Sequence, residues 1–443
     1  MTTTWAQMSA MDLGRAIGTG RINPVDLTEF FLDRIAVHPH ADRIYARTTA
    51  LRARGEAMGA AGRAKSGLRR GMLDGVPVSW KDLFDTADVV TEAGSALLKG
   101  RLPDHDARVL SVASLQGAVC LGKTQMTELA FSGLGLNPVT ASPPCINDHN
   151  AVAGGSSSGA ATSVAFGLAP AAIGSDTGGS VRLPAAWNDL VGLKTTAGRL
   201  SLTGVVPLCP RFDTVGPLAR TVEDCAALLA LLEGRKPADL RGGSLSGLRL
   251  LVLDGLPLDQ LRDSPARGFD RALAALSAAG ARIDTAAAPE VDAAMDLAGV
   301  LFSAEAYGTW GTLIESAPEK MFPRILERFR SGAGVLAGDY VAGWQRLTLL
   351  RQSWAARTAP YDAVLLPTSP ILPPDADRLL TDAAYFTGEN LLALRNTRIG
   401  NLMGLCVLTL PTGVPSCGIS LMAGPGQEER LLRIGAAAEA ALA

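Results

Sequence analysis

Short apolar runs and helix-spaced apolar residues take turns along most of the chain, and this alternation constrains the fold more than any other feature. Asn23 is a good N-cap and Pro24 is tolerated at a first helical position, so a helix starts there and carries Val25, Leu27, Phe30, Phe31 and Ile35. Residues 71–80 read as a buried strand ending at Lys81. Residues 108–115 read as a helix and 118–121 as a strand. Residues 156–167 form a helix of small side chains, and 169–173 the strand after it. A polar, Gly-rich stretch at 234–247 marks a linker or subdomain boundary. Beyond it, 248–253 reads as a strand, 267–279 as an Ala-rich helix, and 364–366 and 407–410 as late strands. The expected fold class is α/β, with a large central mixed β-sheet covered by helices on both faces. The usual domain size suggests two or three domains for 443 residues, yet large α/β enzymes often form one unit. No internal repeat is visible.

Composition removes several function classes. Basic and acidic residues nearly balance, 41 against 43, so the electrostatic footprint of a nucleic-acid binder is missing. The basic stretch 65–70 lies among Gly and Ser and reads as a solvated loop. Six scattered cysteines without a C-x-x-C pair read as buried free thiols, which suits a reducing compartment. The N-terminus shows no basic segment followed by an apolar one. The most apolar stretch, 151–173, is cut by Gly, Ser and Pro. A soluble, cytoplasmic protein without membrane or nucleic-acid partners is expected.

Four motifs carry candidate chemistry. The run from Gly117 to Thr124 (GAVCLGKT) matches a P-loop pattern, but its middle residues are apolar. A strand pairs its amides with neighbours and leaves none for phosphate, so nucleotide binding is the weaker reading. Residues 154–159 (GGSSSG) could be a flexible linker, but they run directly into a small-residue helix, which favours an ordered turn in which serine caps the helix. Residues 176–180 (DTGGS) follow a strand. Two glycines before a serine let successive N–H groups face one cavity, as in an oxyanion hole; a plain hairpin turn is the alternative. Arg182 is near enough in sequence to hold Asp176 by a bidentate pair. Lys81 ends an apolar strand. It either reaches solvent beside Asp82 or, desolvated and neutral, serves as a general base. The four histidines, His38, His40, His105 and His149, lie in polar or loop contexts. Neither a Ser-His-Asp triad nor a catalytic zinc has good candidates.

Taken together the motifs resemble the amidase signature family. The resemblance runs from residues 75–82 (GVPVSWKD) through 122–131 and the core at 154–159 and 176–184. It continues through 192–198, 213–217 and 361–370, and the two serines stand 24 positions apart, 156 to 180. It implies one amidase-signature domain spanning 1–443 and a Ser-cisSer-Lys triad. In that triad Ser180 is the nucleophile, Ser156 the relay and Lys81 the base. The amides of Thr177, Gly178, Gly179 and Ser180 match the oxyanion hole, and Ser157, Asp176 and Arg182 match supporting positions. Ser132, Gly133 and Arg351 are candidate substrate-binding residues. The implied activity is hydrolysis of a small carboxamide to the acid and ammonia or an amine, through an acyl-enzyme on Ser180. The only partner implied is the amide, with no cofactor and no metal; self-association into a homo-oligomer is left open. Trp187-Asn188 and Thr195-Thr196 depart from the family pattern away from the triad. The alternative within the family is the glutaminase component of the tRNA-dependent amidotransferase, which reads glutamine with an arginine and a downstream acid. Residues 391–401 hold no acid, the nearest being Glu389, which favours a free-standing amidase.

Overall fold

A computed structural model of the chain describes residues 2–443. Eleven strands form one mixed sheet. They are β1 (Tyr45–Thr48), β2 (Pro77–Lys81), β3 (Val119–Thr124), β4 (Ala171–Asp176), β5 (Val191–Lys194), β6 (Thr214–Ala219), β7 (Arg249–Asp254), β8 (Arg282–Ala287), β9 (Ala363–Pro367), β10 (Cys406–Pro411) and β11 (Gly418–Ala423). Their spatial order is β1-β3-β2-β4-β6-β5-β10-β11-β9-β7-β8. The fold is a single α/β domain, because β7 and β8 join this same sheet through β9 although they follow the 234–247 loop in sequence. Central strands β2 to β6 and β9 are buried along their length, as expected where helices cover both faces.

The helix Pro24–Val37 starts as its sequence dictates, with Asn23 Oδ1 accepting from Val25 N at 3.0 Å. Several boundaries move. The second strand begins only at Pro77, after a turn at residues 72–75. The third spans Val119–Thr124 and so runs on through Gly122 and Lys123, beyond the 118–121 read from the sequence. The helix of small residues spans Ser158–Ala165, not 156–167, and serine does not cap it. Ser157 occupies the N-cap position, but its hydroxyl turns to the backbone of Ser175.

One topological fact positions the site. Strands β2, β3 and β4 are parallel, with Lys81 opposite Thr124 and Trp80 opposite Ile173. Lys81 and Asp176, the last residues of β2 and β4, therefore end at the same edge of the sheet. The segment after β3, through Ala130, Phe131 and Ser132, and the turn after β4, through Thr177, Gly178 and Ser180, line a cavity beyond that edge, the usual place for a site in an α/β sheet.

Candidate active site

Lys81 is fully buried. Its Nζ lies 2.7 Å from Ser156 Oγ and 2.8 Å from Ser175 Oγ, with no carboxylate in contact. Burial lowers its pKa to about 7, against the opposing pull of Asp176 and Asp213. Close to neutral pH a large fraction is thus the free amine, which has one lone pair and two N–H bonds. It can donate to Ser175 and still accept from Ser156. Lys81 does not snorkel to water, and Asp82 instead pairs with Arg47 and Lys123.

Ser156 sits in a turn held by backbone hydrogen bonds on both sides. Gly154 N and Gly155 N donate to the carbonyls of Leu134 and Gly133, and Thr127 N donates to Ser156 O. The Gly155–Ser156 peptide is cis. Ser157 N donates to Ser180 O at 3.2 Å, which ties this turn to the next one. No hydrogen bond joins Ser156 Oγ to Ser180 Oγ. The hydroxyl of Ser180 lines a cavity instead. Links of this kind often tighten only when substrate is in place.

The turn after β4 is braced from below. Asp176 is fully buried. Its carboxylate accepts from Arg182 Nε at 3.0 Å and Nη2 at 2.8 Å, and from Asn401 Nδ2 at 2.9 Å. Burial alone would raise its pKa, but the Arg182 charge and these hydrogen bonds hold it well below the usual carboxylate range. The same carboxylate accepts from Gly179 N at 2.9 Å. That corrects one expectation: the Gly179 amide is engaged, whereas the N–H groups of Thr177, Gly178 and Ser180 have no partner among the described residues. Gly179 has φ +136°, and a Cβ there would stand 2.1 Å from Thr397 Oγ1, so only glycine fits. Asp213, in a matched motif but given no role by sequence reasoning, accepts from Thr177 Oγ1 and from the amides of Leu208 and Cys209. Ser175, Thr397 and Asn401 were equally unmarked; each is one polar residue in a strand or helix, with no local pattern to single it out.

In front of Ser180 lies a cavity of about 530 Å³. Ser132, Thr177 and Gly178 share its floor with Ser180. The helices Ala298–Ser316, Pro323–Arg330 and Ala383–Leu402 supply walls that include Phe302, Arg328, Leu394 and Arg398. Ser132 lines the cavity, and its hydroxyl donates to Asn390 Oδ1 at 2.8 Å. Gly133 does not line the cavity. It braces the Ser156 turn, and its N–H donates to Asn390 Oδ1. Arg351 is also elsewhere. Its guanidinium donates to the carbonyls of Leu402 and Asn401 and lines a separate cavity with Lys194 and Arg430. The arginines at the Ser180 cavity are Arg328, Arg395 and Arg398, none of which sequence reasoning marked.

The P-loop pattern forms a strand, not an open loop. β3 is paired on both sides, with β1 and β2, and buried Lys123 lies 3.2 Å from Asp82 Oδ1 and 2.8 Å from Thr91 Oγ1. His38, His40 and His149 gather around Phe166, His105 is exposed beside Asp104, and none lines the cavity. Among the described residues no helix is long and apolar enough to cross a membrane.

Residues 26–432 match the model of the Amidase family. A 2-amino-5-chloromuconic acid deaminase of Comamonas testosteroni is 34% identical over 457 residues, covering 98% of this chain and 97% of that protein. A glutamyl-tRNA(Gln) amidotransferase chain of Thermobifida fusca is 31% identical over 496 residues, covering 99% of this chain and 97% of its own length. A crystal structure of an amidase superposes with a TM-score of 0.87 at 28% identity, covering 98% of this chain and 100% of that one.

Proposed function

The chain belongs to the amidase family and hydrolyses carbon–nitrogen bonds of amides, and from that premise we propose that it does so through an acyl-enzyme on Ser180. The observation that carries this reading is a buried lysine with its amine 2.7 Å from Ser156, beside a second serine that opens onto a cavity. A serine hydroxyl needs a base, and burial makes Lys81 one near neutral pH. Ser156 passes its proton to Lys81 Nζ and takes one from Ser180. Ser180 Oγ bonds to the amide carbon, and the oxyanion is held by the N–H groups of Thr177, Gly178 and Ser180. These donors are fixed before reaction, which is why such cradles stabilise developing charge so well. The relay then returns the proton to the leaving nitrogen, the C–N bond breaks, and ammonia or an amine departs. Water, deprotonated through the same relay, hydrolyses the ester to free acid and Ser180. Ser157 ties the two turns together, Asp176 and Arg182 brace the turn after β4 against the helix Ala383–Leu402, and none of the three touches a reacting atom.

Six buried cysteines without a disulfide suit a reducing, cytoplasmic setting. Similarity to a glutamyl-tRNA(Gln) amidotransferase chain keeps a glutaminase reading in view. Against it, no acidic residue lines the cavity to receive glutamine's ammonium group. Ammonia release from a panel of aliphatic, aromatic and ureido amides tests the proposal. Wild type should turn over members of the panel and Ser180→Ala none; turnover by Ser180→Ala at the wild-type rate would refute it. Glutamine as the sole substrate, together with a co-purifying chain, would favour the second reading.

A further inference from the structure

The cavity in front of Ser180 carries positive charge that the relay does not use. The Arg398 guanidinium, on the helix Ala383–Leu402, makes no hydrogen bond or ion pair among the described residues. Arg328 engages only Nε, which donates to Phe131 O at 2.7 Å while its guanidinium lies 4.7 Å from the Phe131 ring centroid. Arg395, the third arginine there, is bound to the Asp259 carbonyl at 2.5 Å and to Asn396 Oδ1 at 3.1 Å. No Asp or Glu lines the cavity. Arg398 stands beside the oxyanion cradle. A Cβ at Gly178 would be 3.6 Å from Arg398 Cγ, and the neighbouring Thr397 Oγ1 donates to Gly178 O at 2.7 Å. Burial lowers Arg398 to about 10; burial and the nearby Arg398 charge lower Arg328 to about 9, so both stay cationic at neutral pH.

Elsewhere this chain gives its buried and half-buried arginines either a carboxylate, as in Arg182–Asp176 and Arg47–Asp82, or backbone carbonyls, as at Arg220 and Arg351; the Arg398 guanidinium has neither. A half-buried guanidinium without either is costly, and its planar fork matches a carboxylate. The missing counter-ion then comes with the ligand. We propose that the substrate is an amide whose acyl half carries a carboxylate, received by Arg398 and Arg328. The proposal rests on Ser180 being the nucleophile. The acyl half is the part that stays tethered to that serine through both steps, so the cavity adjoining Ser180 must hold it. Two cations and no acid also predict a preference against a substrate ammonium group, so that an amido acid is favoured over the corresponding amino acid amide.

Succinamate, glutaramate and adipamate, each against the uncharged amide of equal chain length, and glutamine against glutaramate, form the test. In wild type at least one amido acid should exceed its neutral partner in kcat/KM by about 10- to 100-fold, the worth of charged hydrogen bonds, and glutaramate should exceed glutamine. Arg398→Gln and Arg328→Gln should each lower the charged-to-neutral ratio by about tenfold or more, and Arg398→Lys should restore part of it. Equal or better use of the neutral amides throughout would overturn the proposal, as would variants that lower both substrates alike. Calorimetric titration of the same amido acids into Ser180→Ala separates the two readings. Binding that needs Arg398 supports the carboxylate site even if Ser180 proves not to be the nucleophile. Absent or Arg398-independent binding sinks the site, while hydrolysis of a neutral amide that depends on Ser180 leaves the catalytic reading standing.

Discussion

The floor of the cavity and its walls are built on opposite plans. The floor is polar, buried and nearly saturated with hydrogen bonds: Lys81 with two serines, Asp176 with Arg182, Asn401 and Gly179, Thr177 with Asp213. It hangs from the ends of adjacent strands in the most buried part of the sheet. The walls are helix faces from the second half of the chain. They present apolar side chains such as Phe302 and Leu394 and two guanidiniums with unused donors. A floor of that kind fixes atoms that must not move when charge develops. Walls of that kind can change residue by residue without disturbing it. Changes to the floor should therefore lower kcat for every amide, and changes to the walls should redistribute activity among amides.

The largest expected effect is at the base. Lys81→Met should lower kcat by about 10⁴-fold on every substrate that wild type uses, the upper range for losing a general base. Wild-type kcat/KM should fall about tenfold per pH unit below 7, because the amine must be neutral to accept a proton and its pKa is about 7. A limb at 7 lies close to that of an ordinary histidine, so its position does not identify the group. Its loss in Lys81→Met and survival in His105→Ala and His149→Ala does. A limb that outlives Lys81 would break the assignment of the base.

Next comes the brace beneath the floor. Arg182→Leu leaves the Asp176 carboxylate buried with its main cation gone and should cost about 3–5 kcal/mol in denaturant unfolding. A loss under about 1 kcal/mol would mean that the turn does not depend on the pair. On the wall, Phe302 packs on Phe212 with ring centroids 4.2 Å apart. Phe302→Ala should raise KM roughly tenfold on the best substrate and change kcat far less, since apolar contact holds ground state and transition state alike. A fall in kcat as deep as that of Lys81→Met would erase the distinction between floor and wall. The smallest effect on turnover belongs to Lys123→Met. Lys123 is as buried as Lys81, but it pairs with Asp82 and faces no serine of the relay. The variant should unfold more readily and keep the wild-type pH limb.

The same division governs what could be read from the chain. Lys81 and Ser180 lie at or just after strand ends and Ser156 just before a helix, each in a contiguous string where a lysine or a Gly-Ser turn is conspicuous against apolar neighbours. The mixed sheet was legible for the same reason, through its alternating apolar runs. Strand ends shifted by a few residues because pairing partners, not local pattern, decide where a ladder stops; β3 carries Gly122 and Lys123 because β1 and β2 flank it there. The walls left no local trace. Arg328 and Arg398 are single charged residues on different helices, and nothing in a helix sequence says which face will meet a cavity. Residues 391–401 searched for an acid show none, while the residue that matters there, Arg398, has the opposite sign. Arg351 is an ordinary helix arginine, and it anchors the end of the helix Ala383–Leu402.

Mass-spectrometric mapping of the protein, acid-quenched during turnover of its best amide, bears most directly on Ser180 as the nucleophile. Wild type should carry the acyl group as an ester on Ser180, on the peptide that contains residues 176–182. Ser180→Ala should carry none, and Lys81→Met should accumulate it far more slowly. An acyl group on Ser156 or Ser157, or an adduct that forms at the wild-type rate without Lys81, would contradict the relay.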